Sequence, residues 1–131
     1  MQRALRTAAI AGFPNPRVTD LLREFDYGVY EGLTSADIHS TRPGWEIYHD
    51  GCPDGETPAQ VYDRAKEFLE LALIADGNVL AFAHGHILRA IAVAWLELDI
   101  TAASHFRLDV ATLSELLASD RGRELALWNA P

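Results

Sequence analysis

Asn78-Val-Leu-Ala-Phe-Ala-His-Gly-His-Ile-Leu-Arg-Ala90 is the stretch on which the reading of this chain turns. Val79 to Ala83 is a short unbroken apolar run that follows the turn pair Asp76-Gly77. Such a run reads as a strand buried on both faces, the kind found in parallel α/β sheets. Gly85 interrupts it, and from Ile87 to Leu98 the chain is apolar and supplied with helix-forming Ala and Leu. His84 is therefore expected at the carboxyl end of a strand, just before a glycine turn into a helix. Ligands of open α/β sheets bind at that edge, where backbone N–H groups of the next helix point at the site. A histidine there suits anion contact or proton transfer. The plainer alternative is a core histidine satisfied by a backbone partner.

Upstream, Thr57-Pro58-Ala59-Gln60 is a helix start, with Thr57 as N-cap, Pro58 at N1 and Gln60 able to close a capping box. Val61, Ala65, Phe68, Leu69 and Ala72 follow at helical spacing to about Ala75, with Asp63, Lys66, Glu67 and Glu70 largely opposite. Helix, buried strand and helix in succession are α/β alternation. Residues 2 to 11 form a further expected helix that stops at Gly12, with Arg3 and Arg6 on one face near its N-terminus. The macrodipole disfavours cations there, so Arg3 is either a solvated charge or held to grip an anion. Val18 to Leu22 is a candidate strand, and Arg23 to Thr34 an ordered loop with glycines four apart. A short helix from Thr34 or Ser35 ends before Pro43, and a helical turn spans Trp45 to His49. Past a break at Asp99 and Thr101, strands are expected at Phe106 to Leu108, Thr112 to Leu117 and Glu124 to Trp128. The last two make a hairpin around Asp120-Arg121-Gly122.

The 131 residues suit one domain, 1–131, and 49% hydrophobic residues predict a globular fold. A net charge of -8, from 11 basic and 19 acidic residues, argues against nucleic acid or an anionic membrane as the main partner. An anionic substrate would need a local cluster of Arg and His. Cys52 is the single cysteine, which excludes an internal disulfide and points to a reducing, cytoplasmic compartment. No stretch reaches bilayer-spanning length. Met1 to Val18 holds Arg3, Arg6 and Arg17 and no acid, faintly like a transit peptide, but it lacks serine and suits an ordinary helix.

His84 and His86 would face one way on a strand, as metal ligands can. A third ligand from Glu24, Asp26, His39, His49 or His105 has no diagnostic spacing, and Gly85 breaks the strand geometry, so no metal is expected. There is no Gly-x-Ser-x-Gly elbow and no Gly-rich phosphate loop. Arg3, Glu24 and His84 remain: a cation for phosphate, a carboxyl to donate a proton and an imidazole to stabilise transferring charge. Their spacing alone does not select them; the order of the motifs does.

Three motifs in order resemble the histidine phosphatase superfamily, the phosphoglycerate mutase-like group. They are Gln2-Arg-Ala-Leu-Arg-Thr-Ala8, Leu22-Arg-Glu-Phe-Asp-Tyr-Gly-Val-Tyr-Glu-Gly-Leu-Thr34 and Ala83-His-Gly-His-Ile-Leu-Arg89. Gly55-Glu56-Thr57 before the long helix is also typical of that group. The resemblance implies a three-layer α/β sandwich with a mostly parallel sheet and metal-independent phosphomonoester hydrolysis through a phosphohistidine, with no cofactor. By matched position it implies Arg3 as a phosphate ligand, Glu24 as general acid and His84 as the second phosphate-contacting histidine. Tyr27 and His86 would contact substrate, a small phosphorylated metabolite, while Glu31 and Arg89 would be structural. A phosphoryl group passing to a histidine needs its oxygens neutralised and its leaving alkoxide protonated, and these residues cover both tasks.

The family's nucleophile is a histidine in Arg-His-Gly at the end of the first strand, and no Arg-His-Gly occurs in these residues. The expectation is thus a fold short of its first β-α-β unit, a segment of about 30 residues or more. The strand ending at His84 would then lose pairing on one side, leaving an edge for self-association. As it stands the chain is expected to be inactive or weak, and a non-catalytic remnant that binds phosphorylated ligands is the alternative.

Overall fold

The computed structural model describes residues 2–131; Met1, first in the arginine-bearing segment, lies outside them. Five helices and one hairpin are connected by loops and 3-10 turns: α1 (Gln2–Ile10), α2 (Ser35–Thr41), α3 (Ile47–Asp50), α4 (Pro58–Leu73), α5 (Gly85–Trp95), β1 (Leu113–Ser119) and β2 (Gly122–Ala130). The core is built around α5. Ile87, Ala90, Ile91, Ala92, Val93, Ala94 and Trp95 are all buried, as a helix this apolar beyond Arg89 must be. It packs against α4, which offers Val61, Ala65 and Leu69. Phe25 and Tyr48 close the cluster at the N-terminal end of α5. Each fully buried Val, Leu, Ile or Phe among them contributes about 1.5–3 kcal/mol.

Capping chemistry sets the helix starts. Thr57 and Gln60 form the expected capping box on α4, and Thr34 with Asp37 forms a second on α2. β1 and β2 pair antiparallel, with Ser119 opposite Gly122 at the turn and irregularities on either side of Glu115. Trp95 fastens this hairpin to α5, its indole N–H donating to the Glu124 carbonyl at 2.9 Å.

The expected strands upstream of the hairpin are not found. Val18 to Leu22 ends in a 3-10 turn at Asp20–Leu22, Thr19 capping it through its hydroxyl, and Phe106 to Leu108 is irregular. The larger correction concerns Val79 to Ala83. Among the described residues this segment makes no backbone–backbone hydrogen bond, and the hairpin is the only sheet. Val79 and Leu80 are 48% and 51% exposed rather than buried on both faces. A strand exists through its neighbours, and no described segment pairs with this one. The parallel sheet implied for the fold is therefore not present in these residues. Instead the segment forms one wall of an open apolar cleft of about 550 Å³, shared with Leu5, Phe13, Phe68 and Leu71 and ending at His84.

The loop from Arg23 to Tyr30 is pressed against the turn 52–56. Val29 N–H donates to the Pro53 carbonyl at 3.0 Å, and Glu56 N–H donates to that of Asp26 at 2.9 Å. Gly28, at φ +51°, permits this approach, since a Cβ there would lie 2.1 Å from the Pro53 oxygen and 2.4 Å from the Gly55 nitrogen. Gly28→Ala is accordingly expected to destabilise the fold by more than about 3 kcal/mol. Gly44→Ala, at φ +79° with open space around it, should cost only the backbone term of about 1–2 kcal/mol. Urea denaturation of the two variants checks the difference.

Candidate active site

His84 is the N-cap of α5, with extended backbone (φ -126°, ψ 163°), and its side chain makes no capping hydrogen bond. Its carbonyl accepts from Leu88 N–H at 3.0 Å, the first bond of the helix. The donors left over at this helix end are met by a distant side chain. Glu24 Oε1 accepts from Ile87 N–H at 3.1 Å and His86 N–H at 3.2 Å, and from Phe25 N–H at 3.0 Å. A carboxylate caps the second and third residues of α5, where the macrodipole favours negative charge.

Burial alone would raise the Glu24 pKa. The His86 side chain and the N–H groups of Phe25 and His86 outweigh it, and the pKa falls to about 2. Glu24 is thus a carboxylate at neutral pH. His86 Nδ1 lies 2.8 Å from the Tyr27 hydroxyl and 3.6 Å from Glu24 Oε2. Burial, then the charge of Glu24, pushes the Tyr27 pKa well above its usual value, so its hydroxyl keeps its proton. The Tyr27 hydroxyl and His86 Nδ1 are thereby held as a hydrogen-bonded pair beside Glu24. Tyr48 O–H donates to the His86 carbonyl at 2.9 Å and fixes the same residue from the other side.

His84 is half-buried at the end of the apolar cleft. Burial lowers its pKa and the positive charge of Arg3 lowers it further, while Glu24 opposes both; the imidazole is neutral at pH 7. Arg3 is exposed on α1. The structure thus gathers Glu24, Tyr27, His84 and His86 at the start of α5, with Arg3 close enough for its charge to be felt. A second cleft of about 540 Å³ opens beside His86, lined by Tyr27, Tyr30, Trp45, Tyr48 and Arg89. Arg89 Nε is buried without a partner among the described residues. No three His, Cys, Asp or Glu side chains converge to hold a metal ion among the described residues; His39 instead faces the Trp45 carbonyl at 2.8 Å.

Sequence reasoning passed over Arg64 and Tyr48 and gave Glu56 no task. Arg64 pairs in a fork with Glu56, Nε to Oε1 at 3.0 Å and Nη2 to Oε2 at 2.9 Å. Glu56 Oε2 also accepts from Asp26 N–H at 2.9 Å, so the pair supports the Glu24 loop. The signal was an arginine on an apolar helix face, three residues after Val61 and four before Phe68.

The model of the histidine phosphatase superfamily (branch 1) matches residues 1–131. The chain belongs to that superfamily. It is 42% identical over 114 residues to an acid phosphatase of Mycobacterium tuberculosis (strain ATCC 25618 / H37Rv), a match covering 86% of this chain and 56% of that protein. It is 34% identical over 100 residues to the sedoheptulose 1,7-bisphosphatase of Saccharomyces cerevisiae (strain ATCC 204508 / S288c), covering 63% of this chain and 37% of that one. The chain thus spans little more than half the length of the acid phosphatase. Among solved structures, an open reading frame from Mycobacterium tuberculosis superposes with a TM-score of 0.94 at 39% identity, over 98% of this chain and 68% of its own. A mycobacterial glucosyl-3-phosphoglycerate phosphatase in complex with inorganic phosphate reaches 0.83 at 25% identity, over 98% and 72%. These likenesses support an α/β fold.

The low pKa of Glu24 makes a stability prediction. Its folded value of about 2 lies below the ordinary 4.5, so the stabilisation is complete above pH 4.5 and is lost as pH falls toward 2. Its size is about 3 kcal/mol. Urea denaturation across that window should show the loss in the native protein. Glu24→Gln should be less stable at pH 7 and lack that component of the pH dependence.

Proposed function

We propose that this chain carries the proton-donating and phosphate-gripping part of a phosphomonoesterase site acting through a phosphohistidine and without metal. One observation carries the reading: Glu24, a carboxylate from a distant loop, is seated on the first turn of α5 between His84 and His86. Arg3 and His84 would contact the phosphate oxygens, and Glu24 would protonate the leaving alkoxide. Tyr27 and His86 would contact the rest of the substrate. Glu24 is ionised in the free protein, so the acid role requires a docked phosphate whose negative charge raises its pKa. Ligand binding then takes up a proton.

The substrate in this reading is a small phosphorylated metabolite. A cleft of about 540 Å³ beside His86 is of small-ligand size, and few residues separate Gly32 from α4 for a large cap. That favours a small phosphatase of broad specificity over a glycerate mutase. The domain is 1–131. Buried Cys52, its pKa raised to about 11 by burial and the nearby Asp26 charge, is a protonated thiol suited to a reducing cytoplasm. The unpaired backbone at 79–83 offers an edge for pairing with a second copy. No helix among the described residues is long and apolar enough to cross a membrane.

The ionised state of Glu24 in the free protein favours a second reading, a module that binds phosphorylated ligands without turnover. Both readings share the phosphate site and differ in catalysis. Millimolar inorganic phosphate should raise the melting temperature of the chain by at least about 2 °C, an effect lost in His84→Ala and Arg3→Ala. Hydrolysis of p-nitrophenyl phosphate should be near background and unchanged by chelators. An unaltered phosphate response in His84→Ala would sink the site assignment. Brisk turnover would remove the binding-only reading.

A further inference from the structure

We propose that Arg64, acting through Glu56 and two backbone carbonyls, is the positioning residue that aims Glu24 at α5. The inference rests on the proton-donor reading of Glu24. The side chains of Arg64 and Glu56 are only 10% and 9% exposed. Arg64 spends its donors in four directed bonds. Nε and Nη2 fork onto Glu56, while Nη1 donates to the Leu21 and Arg23 carbonyls, each at 2.8 Å. The Arg23 carbonyl belongs to the peptide group that enters Glu24, so Arg64 sets that plane directly.

Glu56 secures the other side. Its Oε2 accepts from Asp26 N–H, and its own N–H donates to the Asp26 carbonyl, both at 2.9 Å. Backbone is therefore pinned one residue before Glu24 and two after it, with Phe25 buried between. Little is left for Glu24 except to project at the start of α5. A lysine would keep the charge, but one ammonium cannot span a carboxylate and two carbonyls in fixed directions.

The test reads the Glu24 carboxyl itself. The titratable groups that face Glu24 are His84, His86, Tyr27 and Tyr48. Arg64→Lys keeps the positive charge, so a change in the Glu24 midpoint reports position rather than lost charge. Carbon-detected NMR of the labelled chain would follow the Glu24 carboxyl as pH is lowered. In Arg64→Lys the midpoint should rise by at least one pH unit from about 2, because the bonds to His86 and Ile87 N–H lengthen. Glu56→Gln, which keeps the shape and the two carbonyl bonds, should shift it less, and surface Lys66→Ala not at all. A folded Arg64→Lys whose Glu24 midpoint matches the native protein overturns the proposal. If Arg64→Lys does not fold, an unshifted midpoint in Glu56→Gln does so. No phosphate enters this measurement, so a failure of the phosphatase reading leaves its outcome legible.

Discussion

A helix buried on every side has a difficulty at its first turn. Its leading N–H groups have no partners within the helix, and burial denies them water. In this protein α5 is that helix, and the carboxylate of Glu24 answers for two of those groups. The local alternative fails, since His84 stands at the N-cap without bonding the helix through its side chain. The cap has to arrive from sixty-odd residues away. The loop bearing Glu24, the turn that clamps the loop and the ion pair beneath both are arranged around that one delivery.

The same bond makes the site chemical. A carboxylate that satisfies backbone donors is held far below its ordinary pKa, and its charge acts on each neighbouring ring. Tyr27 stays protonated, and its hydroxyl lies in hydrogen-bond contact with Nδ1 of His86. Arg3 and Glu24 pull His84 in opposite directions, with burial deciding for the neutral form. Stability and reactivity share these atoms, so a change that loosens the cap alters the electrostatics as well.

Underneath lies a buried ion pair in which every guanidinium nitrogen of Arg64 is bonded. Isolated pairs of this kind often return no net stability, because desolvation offsets the attraction. Arg64 and Glu56 gain more than their mutual attraction, since three further backbone groups of the 21–26 segment bond to them. Gly28 belongs to the same device, being the residue without a Cβ that lets the loop and the 52–56 turn touch. What the pair chiefly supplies is direction.

Local chemistry in the sequence was enough for the elements whose cause lies within a few residues. Thr57 with Gln60 marked the start of α4, Asp120-Arg121-Gly122 marked the hairpin, and the apolar run after Gly85 marked a buried α5. The residues later found around the start of α5 were also legible, because their motifs stand in order along the chain. Val79 to Ala83 shows the limit. Its composition is that of a buried strand, yet composition is only an aptitude, and pairing needs a neighbour that no described residue provides. The reach of Glu24 to α5, the Arg64 fork and the lowered pKa of the carboxylate were likewise decided by tertiary structure alone. The Glu24 contacts and the bonds from Arg64 to the Leu21 and Arg23 carbonyls join groups more than forty residues apart within 3.3 Å, a distance that no local pattern encodes.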